Sequence, residues 1–144
     1  MNSSSAVILT ILSIFAYSQA SETPSDKVRV VVEKCKSEMN SGHEVMKIVG
    51  TSALPENEEQ RCFLECIYKK LELITDNKFG EPGAKRLMNL KYGKTPEDLK
   101  KAQAQIEYCD KHVQPTPGQK CSMAYNIRQC FATQGKKYNF FIKA

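Results

Sequence analysis

Six cysteines, Cys35, Cys62, Cys66, Cys109, Cys121 and Cys130, constrain this 144-residue chain more than any other feature. What they do depends on the compartment, and the N-terminus speaks to that. Residues Ala6 to Tyr17 read AVILTILSIFAY, an uncharged apolar run. It is followed by Ser18-Gln19-Ala20, a small-x-small cleavage pattern, so residues 1–20 are expected to be a secretory signal peptide cleaved after Ala20. The stretch before the run, MNSSS, departs from the usual layout in carrying no Lys or Arg. The apolar run is too short for a membrane-spanning helix, which needs about 20 residues. All six cysteines therefore fall in the expected mature domain, residues 21–144, and an even count in a short exported chain implies three disulfides. Six cysteines allow 15 pairings, and spacing alone does not choose among them.

The same cysteines argue against a metal site. No C-x-x-C pair is present, and only His43 and His112 are available as imidazole ligands. The formal charge of +5 is spread along the chain without a block of like charges. With export and no aromatic–basic motif, it gives no support to nucleic-acid binding. The expected mature domain has no N-x-Ser/Thr acceptor, so no N-glycan is expected.

Apolar periodicity is helical throughout. Val28, Val31, Val32, Cys35 and Met39 recur at i, i+3, i+4, i+7 and i+11, with Pro24 and Asp26 at a helix start and Gly42 at its end. A short second segment covers His43 to Val49. The third, Glu56 to Ile74, has no internal Gly or Pro and gathers Phe63, Leu64, Ile67, Tyr68, Leu71 and Ile74 on one arc. Cys62 and Cys66 stand at i, i+4, so both thiols leave one side of that helix, where the geometry of a single turn is poor for bonding each other. Each is expected to tie the helix to a different partner. DNKFGEPG, residues 76–83, reads as a loop. A fourth helix is expected over Ala84 to Lys91, and a fifth from Thr95-Pro96 to about His112, with Thr95 as N-cap. The fifth buries Leu99, Ala102, Ile106 and Cys109. The sixth runs from Gln119 to Thr133 and is stopped by Gly135; an aromatic tail, residues 136–144, follows. Strand signals are nearly absent. The expected fold is all-α, a compact bundle of about six helices.

The cysteine pattern is Cys-x26-Cys-x3-Cys-x42-Cys-x11-Cys-x8-Cys. The x3 and x8 intervals, the interval near forty, and the phrase Cys62-Phe63-Leu64-Glu65-Cys66 within a helix resemble the insect odorant-binding proteins of the six-cysteine pheromone- and general-odorant-binding type. The resemblance spans the whole expected mature chain. It implies disulfides Cys35–Cys66, Cys62–Cys121 and Cys109–Cys130, consistent with separate partners for Cys62 and Cys66. It also implies helices arranged around an internal hydrophobic pocket, and a tail that folds over or into that pocket.

On that reading the pocket draws on Leu64, Ile67, Tyr68 and Leu71 of the third helix, and on Leu87, Met88 and Leu90 of the fourth. Met123, Ile127 and Phe131 of the sixth join them, with Tyr138, Phe140 and Phe141 of the tail. Methionine adapts to varied ligand shapes, and a tyrosine hydroxyl offers a polar anchor. The resemblance implies a secreted, extracellular carrier of small hydrophobic molecules such as odorants or pheromones, in sensillum-lymph-like fluid if the tissue is antennal. Its partners would be the ligand and a chemosensory receptor or membrane surface, and its state a monomer or loose homodimer. His43 and His112 are candidates for a pH response, since imidazole titrates near neutrality.

Catalysis finds no footing. The chain lacks G-x-S-x-G, H-E-x-x-H and phosphate-loop patterns, and His43-Glu44-Val45-Met46-Lys47 has Lys where a second zinc ligand belongs. With every cysteine oxidised, no thiolate nucleophile remains. Neither a cofactor nor a metal is expected. The rival readings are a secreted membrane-active protein of saposin or toxin type, and a salivary or venom ligand scavenger.

Overall fold

The computed structural model describes residues 23–138. The expected signal peptide and the tail residues Phe140 and Phe141 lie outside that range. The first helix, α1, spans Pro24–Met39 and opens with a complete capping box. The Thr23 hydroxyl accepts from the Asp26 amide at 3.2 Å, and the Asp26 carboxylate accepts from the Thr23 amide at 3.3 Å. The Thr23 hydroxyl also donates to the Asp26 carboxylate at 2.7 Å, and this bond, with the one from the Thr23 amide, holds the Asp26 carboxyl below the usual aspartate range. The helix ends on Asn40 in the left-handed conformation, and Gly42 instead opens the 3₁₀ helix His43–Ile48. There Lys47 pairs with Glu44, which raises the pKa of the lysine; the segment that begins like a zinc-protease motif is a 3₁₀ turn that buries Val45 and Ile48 and carries this ion pair on its exposed face.

The strongest predicted helix is real but shorter than expected. It is α2, Glu58–Lys70, with the Asn57 side chain accepting from the Gln60 amide at 2.9 Å. It ends four residues before Ile74 because Glu72 turns left-handed, at φ 58°. The amides of Leu73 and Glu72 then bond back to the carbonyls of Tyr68 and Lys69, a Schellman closure made without glycine. Ile74 is released into a strand. β1 (Ile74–Thr75) pairs antiparallel with β2 (Lys78–Phe79) through a two-residue turn at Asp76 and Asn77, both at positive φ. This hairpin occupies the stretch read from sequence as loop.

α3 begins earlier than expected and spans Glu81–Tyr92. Its first turn is pressed on the end of α2, and a Cβ added at Gly80 or Gly83 would collide with the Glu72 carbonyl. Only glycine permits that approach. α4 covers Pro96–His112. Thr95 precedes it as expected but makes no capping bond; its hydroxyl donates to the Tyr92 carbonyl at 3.1 Å and closes the α3–α4 turn instead. α5 covers Ser122–Tyr138. It starts three residues later than expected, after Cys121 at positive φ. Gly135 does not stop it. A helix-interior glycine costs only about 1 kcal/mol, and burial of Gln134 and Gly135 outweighs that. Tyr138 is thus the last described turn of a helix, not part of an extended tail.

The disulfides are Cys35–Cys66, joining α1 to α2, Cys62–Cys121, joining α2 to the entry of α5, and Cys109–Cys130, joining α4 to α5. They close loops of 31, 59 and 21 residues. Chain-entropy reasoning gives about 3–4 kcal/mol for each as an upper figure. Domains of this size are stable by only about 5–15 kcal/mol, so the staples hold a frame whose centre need not be filled. The packed core lies where the stapled helices meet: Phe63 and Leu64 of α2, Ile106 of α4, Met123 and Ile127 of α5, and Val45 of the 3₁₀ helix.

Candidate functional site

Beside that core is a cavity of about 280 Å³, just below the ~300–1,000 Å³ usual for small-molecule sites. α2 supplies Leu64, Ile67 and Tyr68 to its wall, with Leu71 and Leu73 from the turn that ends the helix. α3 supplies Ala84, Leu87, Met88, Leu90 and Lys91. α5 supplies Ile127, Arg128, Phe131 and Ala132, and Phe131 is backed by Phe79 of the hairpin with ring centroids 6.0 Å apart. The remaining side is made by Pro24, Ser25, Val28 and Val32 of α1 and by residues 48–52. Ser25, Gly50, Thr51, Ser52 and Leu90 are exposed, so the cavity opens to solvent between the start of α1, the 50–52 turn and the far end of α3.

Nine of the expected pocket residues meet at this one cavity: Leu64, Ile67, Tyr68, Leu71, Leu87, Met88, Leu90, Ile127 and Phe131. Met123 does not reach it; it is buried in the packed core, one turn nearer the start of α5 than Ile127. Tyr138 is exposed at the end of α5, away from the lining, and its ring lies under the Lys137 ammonium at 5.4 Å. Phe140 and Phe141 lie outside the described residues. Neither histidine lines the cavity. His112 stacks on Tyr108 at 4.0 Å and its Nδ1 lies 2.7 Å from the Tyr108 carbonyl oxygen; His43 is exposed at the start of the 3₁₀ helix.

The sequence reading missed one side of the cavity and its principal charge. Val28 and Val32 were visible as a helical stripe, but nothing distinguished them from plain core. Residues 49–52 look like punctuation between helices. Arg128 had a signal: with Ala124, Ile127 and Phe131 it stands at i, i+3, i+4 and i+7, a cation inside the apolar arc of α5. Its side chain spans the gap to the 3₁₀ segment. Nη1 donates to the Ile48 carbonyl at 2.7 Å and the Ala53 carbonyl at 2.9 Å, while Nε lies 3.4 Å from the Tyr68 hydroxyl oxygen. The residue is only 9% exposed. It thereby fastens residues 48–53 to the cavity wall.

Among the described residues no three His, Cys, Asp or Glu side chains gather as a metal site, and all six cysteines are bonded. No described helix is long and apolar enough to cross a membrane. The arrangement is a hole with apolar walls, a tyrosine hydroxyl and one deep cation, suited to holding a small amphiphile.

Comparison with known proteins agrees with this geometry. Residues 18–134 match the sequence model of the PBP/GOBP family. General odorant-binding protein 19d of Drosophila melanogaster is 23% identical over 137 residues, covering 91% of this chain and 90% of that protein. In structure the chain is similar to the odorant-binding protein dmelOBP28a from Drosophila melanogaster, with a TM-score of 0.67 at 18% identity, over 80% of this chain and 94% of that one. At that identity the likeness speaks to the fold.

Proposed function

The chain belongs to the PBP/GOBP family, and from that membership we propose that it is a secreted carrier that takes small hydrophobic molecules, odorants, pheromones or similar semiochemicals, into the cavity between α2, α3 and α5. The observation that carries the reading is the convergence of apolar side chains from five separate segments on one opening, where a filled core would otherwise stand. The relatives it resembles are named as odorant-binding proteins, which supports binding over catalysis. Leu64, Ile67, Tyr68, Leu71, Leu87, Met88, Leu90, Ile127 and Phe131 are the proposed ligand contacts, with Val28, Val32 and Arg128 added to them.

Energetics favour moderate affinity. A ligand that buries roughly 300 Å² of apolar surface gains about 7 kcal/mol gross at 25 cal/mol/Å², and lost motion reduces that. Micromolar binding corresponds to about −8 kcal/mol, so a polar contact is needed to supply the difference.

The test is displacement of a fluorescent apolar probe from protein secreted by insect cells expressing the full chain, using volatile alcohols, aldehydes, esters and fatty acids. Saturable binding at about one site per chain, competed at micromolar concentrations, is the expected result. Absence of saturable binding by correctly bonded protein would make the cavity an incidental packing defect and end the carrier reading. Mass spectrometry of the same secreted material tests the leader, with an N-terminus at Ser21 expected.

A further inference from the structure

Arg128 is the least expected group in the cavity wall. Guanidinium groups are rarely this deeply buried unless an anion accompanies them, because removing the charge from water costs several kcal/mol. Here the usual partner is missing: among the described residues no Asp or Glu lies within ion-pair distance of Arg128, and none lines the cavity. The compensation found is two carbonyl oxygens, both taken by Nη1, and the long contact from Nε to the Tyr68 hydroxyl. Nη2 makes no hydrogen bond among the described residues and is not fully buried. The one other charge on the lining is a second cation, half-buried Lys91 of α3.

We infer that the cavity selects ligands ending in a carboxylate, with the acid group seated on Arg128 beside the Tyr68 hydroxyl and the hydrocarbon chain lying against Leu64, Leu87 and Phe131. This deepens the carrier reading and rests on it. An ionised carboxylate supplies the anion that the buried guanidinium lacks, and the planar fork of arginine matches two carboxylate oxygens better than one alcohol or ester oxygen. The Tyr68 hydroxyl, free to rotate its proton, donates to the same head group. A neutral alcohol of equal length buries the same chain but leaves the charge uncompensated.

The experiment compares decanoic acid, decan-1-ol and methyl decanoate, which share a chain of ten carbons, as competitors of the fluorescent probe at pH 7.5. The acid is expected to bind at least tenfold more tightly than either neutral compound, the scale of a charge-assisted hydrogen bond. In Arg128→Met that advantage should vanish, the acid binding no more tightly than the alcohol; the conservative Arg128→Lys should retain part of it. Arg128 also holds the Ile48 and Ala53 carbonyls, so the methionine variant is open to failing to fold. A pH series on the unaltered protein then decides. As pH falls through the acid's own carboxyl pKa, near 4–5 as for an ordinary carboxyl, its advantage should be lost and the alcohol's affinity should hold. The other ionisable groups facing Arg128 are the Tyr68 phenol on α2 and the Lys91 amine on α3, neither of them a carboxyl, and the lining residues of α1 and of the 48–52 segment carry no ionisable side chain. Equal affinities for the three compounds, or an acid affinity indifferent to pH, would overturn the inference and leave the carrier reading intact. No saturable binding of the probe itself would overturn both.

Discussion

α2 and α3 face each other across the cavity, and both present leucines to it, but they are held in place by different means. α2 carries Cys62 and Cys66, each bonded to a different helix or helix entry, and buries Phe63, Leu64 and Ile67. α3 carries no cysteine, and its buried residues are Gly83 and Ala84 alone. Its Leu87 and Met88 are half-buried, and Leu90 is 50% exposed. One wall is therefore a fixed reference, bolted through its own core. The other is seated by the close approach of Gly80 and Gly83 to the Glu72 carbonyl, with an ion pair between Arg86 and Glu72 beside it. Covalent ties and large buried side chains define where the hole is; the wall without them has apolar side chains left over for whatever enters.

That contrast is exposed to direct tests. The largest effect belongs to the fixed wall. Replacing Cys62 and Cys121 together by serine should cost about 2–5 kcal/mol, read from urea denaturation of the purified protein. Phe63→Ala should cost a similar ~3–5 kcal/mol, with little of it attributable to ligand contact. Gly83→Ala tests the seat of α3: the new methyl collides with backbone, so a loss of about 1–3 kcal/mol is expected, accompanied by altered probe affinity as α3 shifts. If Gly83→Ala were as damaging as loss of the Cys62–Cys121 bond, the distinction between the two walls would be wrong. Leu87→Ala should reverse the pattern, changing stability by about 1 kcal/mol or less while weakening an apolar ligand several-fold, since the lost contact is with the ligand. The smallest expected effect is none. Because neither His43 nor His112 lines the cavity, binding of a neutral ligand should not change between pH 7.5 and 5, and a marked fall there would show that the frame itself responds to protonation.

The fixed wall was also the legible one. Apolar arcs at helical spacing, the capping residues and the i, i+4 cysteines of α2 are local signals, and the helices they announce are present. The disulfide pairing came with the family resemblance. What escaped was set by contacts between distant residues. Nothing near Glu72 signals a left-handed helix end without glycine; the turn is required by the α3 backbone that comes to rest on it. Gly135 looks like a stop until burial at α5 is known. Met123 and Ile127 share a face of α5 and both enter the core, yet only Ile127 also lines the cavity, because how far the cavity extends along α5 depends on packing. Arg128 stood in the apolar arc in plain view, but its partners, the Ile48 and Ala53 carbonyls, lie about 80 residues away in the chain.

The seat of α3 on a single carbonyl has a consequence for redesign. Gly80, Gly83 and the Arg86–Glu72 pair seat the first half of α3 on the end of α2, whereas Leu87, Met88 and Leu90 follow beyond them. None of these three cavity-lining side chains is fully buried, so they are the positions of α3 open to exchange. A library randomised at those three positions varies the shape of the opening while the stapled scaffold stays untouched, which makes this chain a ready starting point for sensors tuned to different volatile compounds.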